Sequence, residues 1–119
     1  MIDPKAISEE ASTAAVFASQ AMYDRIGGDR LLCGFAWVTI YPQHKGNTKA
    51  GKEERKIIRQ LHGIDDQTFE LDYTGKAFEL WNPGGFNVQN VDIKEAGAKE
   101  YAAKLRLHGF KAYANSRLD

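Results

Sequence analysis

Residues 31–41, Leu-Leu-Cys-Gly-Phe-Ala-Trp-Val-Thr-Ile-Tyr, constrain the fold more than any other segment. Cys33, Phe35, Trp37, Thr39 and Tyr41 alternate with Leu32, Gly34, Ala36, Val38 and Ile40, so in a strand the two sets take opposite faces. Both sets are largely apolar, which predicts a central strand of a sheet, covered on both sides. Pro42 ends it.

The flanking segments read as helices and shorter strands. Asp3-Pro4 is an N-cap followed by proline in the first turn. Ile7, Ala11, Ala15, Ala18 and Met22 recur at helical spacing until Gly27-Gly28 stops the helix. A short helix is predicted near Lys52–Leu61, with Ile57, Ile58 and Leu61 as its buried stripe. Phe69, Leu71 and Tyr73 alternate with acids, and Thr74-Gly75-Lys76 turns into a strand over Ala77–Trp81. Asp92 and Glu95 have capping-box spacing and open a helix to His108, closed by Gly109. Phe110, Ala112 and Ala114 make a last short strand, and Asn115–Asp119 a tail. The expectation is one α+β domain over residues 1–119 in the order αβαββαβ, with a small, mostly antiparallel sheet packed by helices. Residues 1–26 are expected to form an N-terminal helix whose many alanines suit close packing against a sheet or against a second copy.

Composition narrows the partners. Sixteen basic and sixteen acidic residues cancel, so no overall field draws the chain to duplex nucleic acid or an anionic membrane. No apolar run approaches the roughly 18 residues of a membrane span. A single cysteine, Cys33, excludes an internal disulfide and fits a reducing compartment. The start, Met1-Ile-Asp-Pro, lacks the pattern of a secretion signal. A cytoplasmic protein is expected.

Two loops stand out as binding candidates. Asn82-Pro-Gly-Gly-Phe-Asn-Val-Gln-Asn90 is dense in amides, which both donate and accept, and its glycines allow close approach of backbone to a ligand. Asn82, Asn87, Gln89 and Asn90 are the candidate contacts, although Asn82-Pro83-Gly84 also suits a plain turn. Trp81 and Phe86 flank this loop and can stack a base. Phe35 and Trp37, on the long strand, are read as core. The second loop holds Lys45 and Lys49 ahead of a helix, where backbone N–H groups can meet a phosphate. Gly46, Gly51 and Lys52 approach the P-loop pattern, but Glu53 stands where a hydroxyl residue would hold Mg²⁺; a solvated loop is the favoured reading.

Nothing in the sequence marks a catalytic set, a metal site or a cofactor. His44, His62 and His108 are scattered.

Four blocks carry a family likeness: Cys33-Gly-Phe-Ala-Trp-Val-Thr-Ile, Trp81-Asn-Pro-Gly-Gly, Gln89-Asn-Val-Asp-Ile-Lys-Glu-Ala-Gly-Ala, and Gly109-Phe-Lys-Ala-Tyr-Ala-Asn-Ser-Arg117. Together they resemble a family of small phage-encoded proteins, and the chain looks like the anti-defence sponges that sequester cyclic nucleotide or cyclic ADP-ribose signals of the CBASS and Thoeris systems. The resemblance implies a non-catalytic homo-oligomer in the host cytoplasm, with a small nucleotide-derived signal held between protomers. It also places Ser116-Arg117 beside Asn115, where Arg117 would meet an anionic group. The rival expectations are a protein–protein inhibitor of a host defence enzyme and a nucleotide-processing enzyme.

Overall fold

The computed structural model describes residues 3–28 and 32–118; the chain start at Met1-Ile2, the strand start at Leu31 and the terminal Asp119 lie outside them. The elements run α1 (Pro4–Ile26), β1 (Gly34–Ile40), α2 (Lys49–Gln60), a 3-10 turn (Ile64–Asp66), β2 (Glu70–Leu71), β3 (Phe78–Trp81), α3 (Val91–Leu107) and β4 (Ala112–Leu118). The strands form one antiparallel sheet in the order β2-β3-β1-β4. The α+β class and the αβαββαβ order expected from sequence are those observed.

Local chemistry sets most boundaries. The Asp3 side chain accepts from the backbone N–H groups of Lys5 and Ala6 at the start of α1, and Gly27, at φ 78°, ends it in the left-handed conformation. α2 starts at Lys49 rather than Lys52, because the Thr48 hydroxyl accepts from Gly51 N at 3.0 Å and caps the helix earlier. α3 is capped by Asn90, not Asp92: Asn90 Oδ1 accepts from Ile93 N at 3.1 Å. Asp92 then falls in the first turn, where its charge suits the helix N-terminus.

β4 continues to Leu118, beyond the predicted end at Ala114. β1 offers it a partner along its whole length, from Ile40 opposite Ala112 to Gly34 opposite Leu118. The predicted tail is therefore ordered strand as far as Leu118.

One side of the sheet is covered. α3 lies on β1 and β4, and α1 packs along α3. Ala36, Val38, Ile40, Phe78, Leu80 and Ala112 point inward, meeting Ala98, Tyr101, Ala102 and Leu105 from α3 and Ile58 and Leu61 at the end of α2. Ile7, Ala11 and Ala15 bring α1 into the same core. Three polar side chains in this layer are paired: Ser19 Oγ donates to Ile93 O at 2.8 Å, Tyr101 Oη donates to His62 O at 2.7 Å, and Ser8 Oγ accepts from His62 N at 2.9 Å.

No described helix covers the other side. The expectation that both faces of β1 are buried fails there, and so does the assignment of Phe35 and Trp37 to the core: Phe35 is exposed and Trp37 half-buried.

Candidate site on the open sheet face

Alternation along three neighbouring strands decides which side chains meet on the uncovered face. β1 contributes Phe35, Trp37, Thr39 and, just past its end, Tyr41; β3 contributes Glu79 and Trp81; β4 contributes Tyr113, Asn115 and Arg117. The register makes three rows of them. Glu79, Thr39 and Tyr113 lie side by side, then Trp81, Trp37 and Asn115, then Phe35 and Arg117.

The middle of the face is aromatic. Trp37 and Trp81 stack with ring centroids 4.6 Å apart and planes 23° from parallel, and Phe35 meets Trp81 edge-on at 6.2 Å. Trp81 remains 43% exposed, so much of its indole is open to a ligand. Tyr41 and Tyr113 pack at 6.3 Å farther along. An open sheet presenting aromatic rings to solvent can stack nucleobases, since every base has a π-face.

Charge divides across the aromatic centre. On the β4 side, Arg117 lies 5.4 Å and Lys94 5.2 Å from the Phe35 ring centre, while Lys94 Nζ also donates to Gly34 O at 2.9 Å. Arg106 lies 5.6 Å from the Tyr113 ring centre and donates to Ala112 O at 2.8 Å; Lys111 lies 5.9 Å from that of Tyr41. On the β3 side stand Glu79 and the hairpin residue Asp72. Burial, then the neighbouring Asp72 charge, hold the Glu79 carboxyl above its ordinary value, against a hydrogen bond from Trp81 that lowers it. The Thr74 hydroxyl hydrogen bond holds Asp72 below its own. Between the two flanks, Asn115 Nδ2 donates to Thr39 Oγ1 at 2.8 Å. A depression of about 380 Å³ spans this face from Asp72 and Glu79 to Arg117, within the range of small-molecule sites. A larger and more open hollow of about 830 Å³ runs along the outside of α1 past Phe17, but its lining is mostly apolar and brings no comparable set of polar and aromatic groups together.

Of the residues singled out in the sequence, the structure brings Trp81 and Arg117 together on this face. The amide loop lies at the sheet end where β1 begins: Gly34 N donates to Gln89 O at 3.0 Å, and Cys33 bridges to Asn90. Asn82 adopts φ 48°, its Nδ2 donates to Phe86 O at 3.0 Å, and its Oδ1 is buried without a hydrogen-bond partner among the described residues. Phe86 is half-buried against Tyr23 of α1, with ring centres 5.7 Å apart. Asn90 is buried as the α3 cap, whereas Asn87 and Gln89 are exposed.

Lys45 and Lys49 are exposed beyond the other end of β1, a separation from the amide loop of about 23 Å for seven strand residues. Their loop is clasped from within. The Glu54 carboxylate accepts from Gln43 N at 2.7 Å and His44 N at 3.0 Å, and Arg55 donates to His44 O and Gly51 O, both at 3.0 Å. Those backbone donors are thus occupied by the chain itself.

Sequence reasoning passed over Glu79, Lys94, Thr39 and Asn115. One signal was present: Tyr113, Asn115 and Arg117 alternate with Ala112 and Ala114, which marks a polar outer face on β4 and therefore a wet face on any strand paired to it. Among the described residues, no group of three or more His, Cys, Asp or Glu side chains is placed to hold a metal ion, and no helix is long and apolar enough to cross a membrane. Compared with known protein families, curated proteins and solved structures, the chain matches none.

Proposed function

We propose that the protein captures a small nucleotide-derived ligand on the open sheet face and releases it unchanged. The observation that carries this reading is the aromatic surface of Phe35, Trp37 and Trp81 with Arg117 and Lys94 beside it. The rings supply stacking area for a base, and the guanidinium supplies two parallel donors to a phosphate. The family likeness adds the ligand class: a cyclic nucleotide or cyclic ADP-ribose immune signal, held by a phage anti-defence protein in the host cytoplasm. Capture without cleavage is the activity of such a sponge.

The test is to incubate purified protein with cyclic nucleotides and cyclic ADP-ribose, wash, denature by heat and identify what is released. Intact ligand is expected. An altered product would make the protein an enzyme, and no retained ligand would reject nucleotide capture. Arg117→Lys keeps the charge but loses the two-point contact, so it should bind a phosphorylated ligand about tenfold more weakly, roughly 1.4 kcal/mol. Equal affinity would dismiss the bidentate contact.

One observation favours a second reading. Phe35, Tyr41, Tyr73, Trp81 and Tyr113 are all exposed on or beside one face, enough apolar surface to dock on a host defence protein as an inhibitor. In that case the face binds protein and retains no small ligand.

A further inference from the structure

We infer that Glu79 makes the open face selective for guanine, through a carboxylate that accepts from the N1–H and the 2-amino group of the base. This rests on the nucleotide reading above and adds the identity of the base. Stacking alone does not discriminate, because rings accept any base; selectivity has to come from a group that reads the base edge. Glu79 is placed to do so. It lies on β3 two residues before Trp81 and on the same face, about 6.6 Å along the strand. It sits across from Thr39, one row from the stacked tryptophans. It lines the same depression as Trp37, Trp81 and Arg117.

An ionised carboxylate accepts and never donates. Guanine offers two adjacent donors, N1–H and the 2-amino group, which match its two oxygens. Hypoxanthine lacks the amino donor. Adenine places the N1 acceptor beside its 6-amino donor, so one carboxylate oxygen would face a lone pair. A site built to pair with donors penalises a base that lacks them more strongly than it rewards a fit.

The surroundings favour a donor-rich partner at this point. Asp72 adds a second negative charge to the same side of the depression, and partial burial deprives Glu79 of some of its water. Two N–H groups would compensate both. The opposite flank completes the ligand. Arg117 stands two strands and four residues from the Glu79 row, a Cα separation of about 16 Å. Both residues line the depression of about 380 Å³ between them, which leaves room for base, sugar and phosphate in sequence.

The experiment is calorimetric titration of the full chain with 3′,5′-cyclic GMP, cyclic IMP and cyclic AMP. The expected result is cyclic GMP binding at least tenfold more tightly than either of the others. Glu79→Gln, which replaces one acceptor by a donor, should bring the three within about twofold of one another, by weakening cyclic GMP and by giving the adenine N1 lone pair a donor, with an unchanged melting curve. Equal binding of cyclic GMP and cyclic AMP by the unaltered protein would overturn guanine selectivity while leaving nucleotide capture standing. A preference that survives in Glu79→Gln would overturn the role of this residue. No binding of any of the three would overturn the inference as well; the broader proposal would fall with it only if the heat-release experiment also returned no ligand.

Discussion

Four amide side chains between Asn82 and Asn90 resemble one another in sequence, yet their positions divide them. Asn90 is buried and caps α3 through its bond from Ile93 N. Asn82 sits at positive φ, a conformation that Asn tolerates better than most residues, and its Nδ2 closes the turn onto Phe86 O. Asn87 is exposed. Asn90→Ala should therefore cost about 0.5–2 kcal/mol of stability, the usual loss for a side-chain N-cap. Asn87→Ala should stay within about 0.5 kcal/mol of the parent, as surface changes usually do. Urea denaturation of both variants checks this. An Asn90→Ala protein of undiminished stability but weakened nucleotide binding would return that residue to the ligand site.

The closeness of α1, α3 and the loop after β3 depends on small residues, and Gly97 offers a test of it. A Cβ there would lie 2.5 Å from Ser19 Oγ and 2.9 Å from the Gly84 backbone. Ser19 cannot turn away freely, since its hydroxyl donates to Ile93 O. Alanine gains about 1 kcal/mol over glycine inside a helix, whereas forcing an extra carbon into a packed contact costs about 1–3 kcal/mol. Because one of the opposing atoms is backbone, the clash should prevail, and Gly97→Ala should melt below the parent in a thermal scan. A melting point equal or higher would mean that α1 shifts outward without loss. Elements of this kind also show what the sequence discloses. The Asp3 cap, the Gly27 stop, the β1 alternation and the Ile58–Leu61 stripe depend on neighbours in the chain, so they are legible. The last four residues of β4 are not: Asn115, Ser116 and Arg117 have little strand tendency of their own, and their extended form is supplied by pairing with β1. Alternation likewise separates the two faces of β1 but says nothing of which face receives a helix. Trp81 and Arg117 were recognisable singly as binding residue types. Their meeting with Glu79 and Lys94 depends on the register of strands far apart in sequence.

At the scale of the whole molecule, the small residues of α1 no longer require a second copy, because Ala11 and Ala15 are already buried within one chain. The outer side of the helix is different. Phe17 is 77% exposed, next to an exposed Val16, beside the open hollow bordered by Glu10, Glu100 and Lys104. An apolar centre with a charged rim is the composition of a contact surface. The protein is therefore expected to sediment at micromolar concentration as a particle heavier than its 13.3 kDa chain. If α1 supplies the contact, burying Phe17 contributes about 2 kcal/mol per copy, or about 4 kcal/mol for a symmetric pair, a factor of roughly a thousand in affinity. Phe17→Glu removes that burial and sets a carboxylate near Glu10, so it should yield a monomer. α1 is separated from the open face by α3 and the sheet, and the variant should accordingly keep its melting curve and leave the proposed nucleotide capture unaffected. A parent protein that sediments as a single chain would exclude association altogether. A Phe17→Glu protein that stays associated would move the contact away from α1, leaving the open sheet face as the surface to test next, where ligand and partner copy would compete for the same tryptophans.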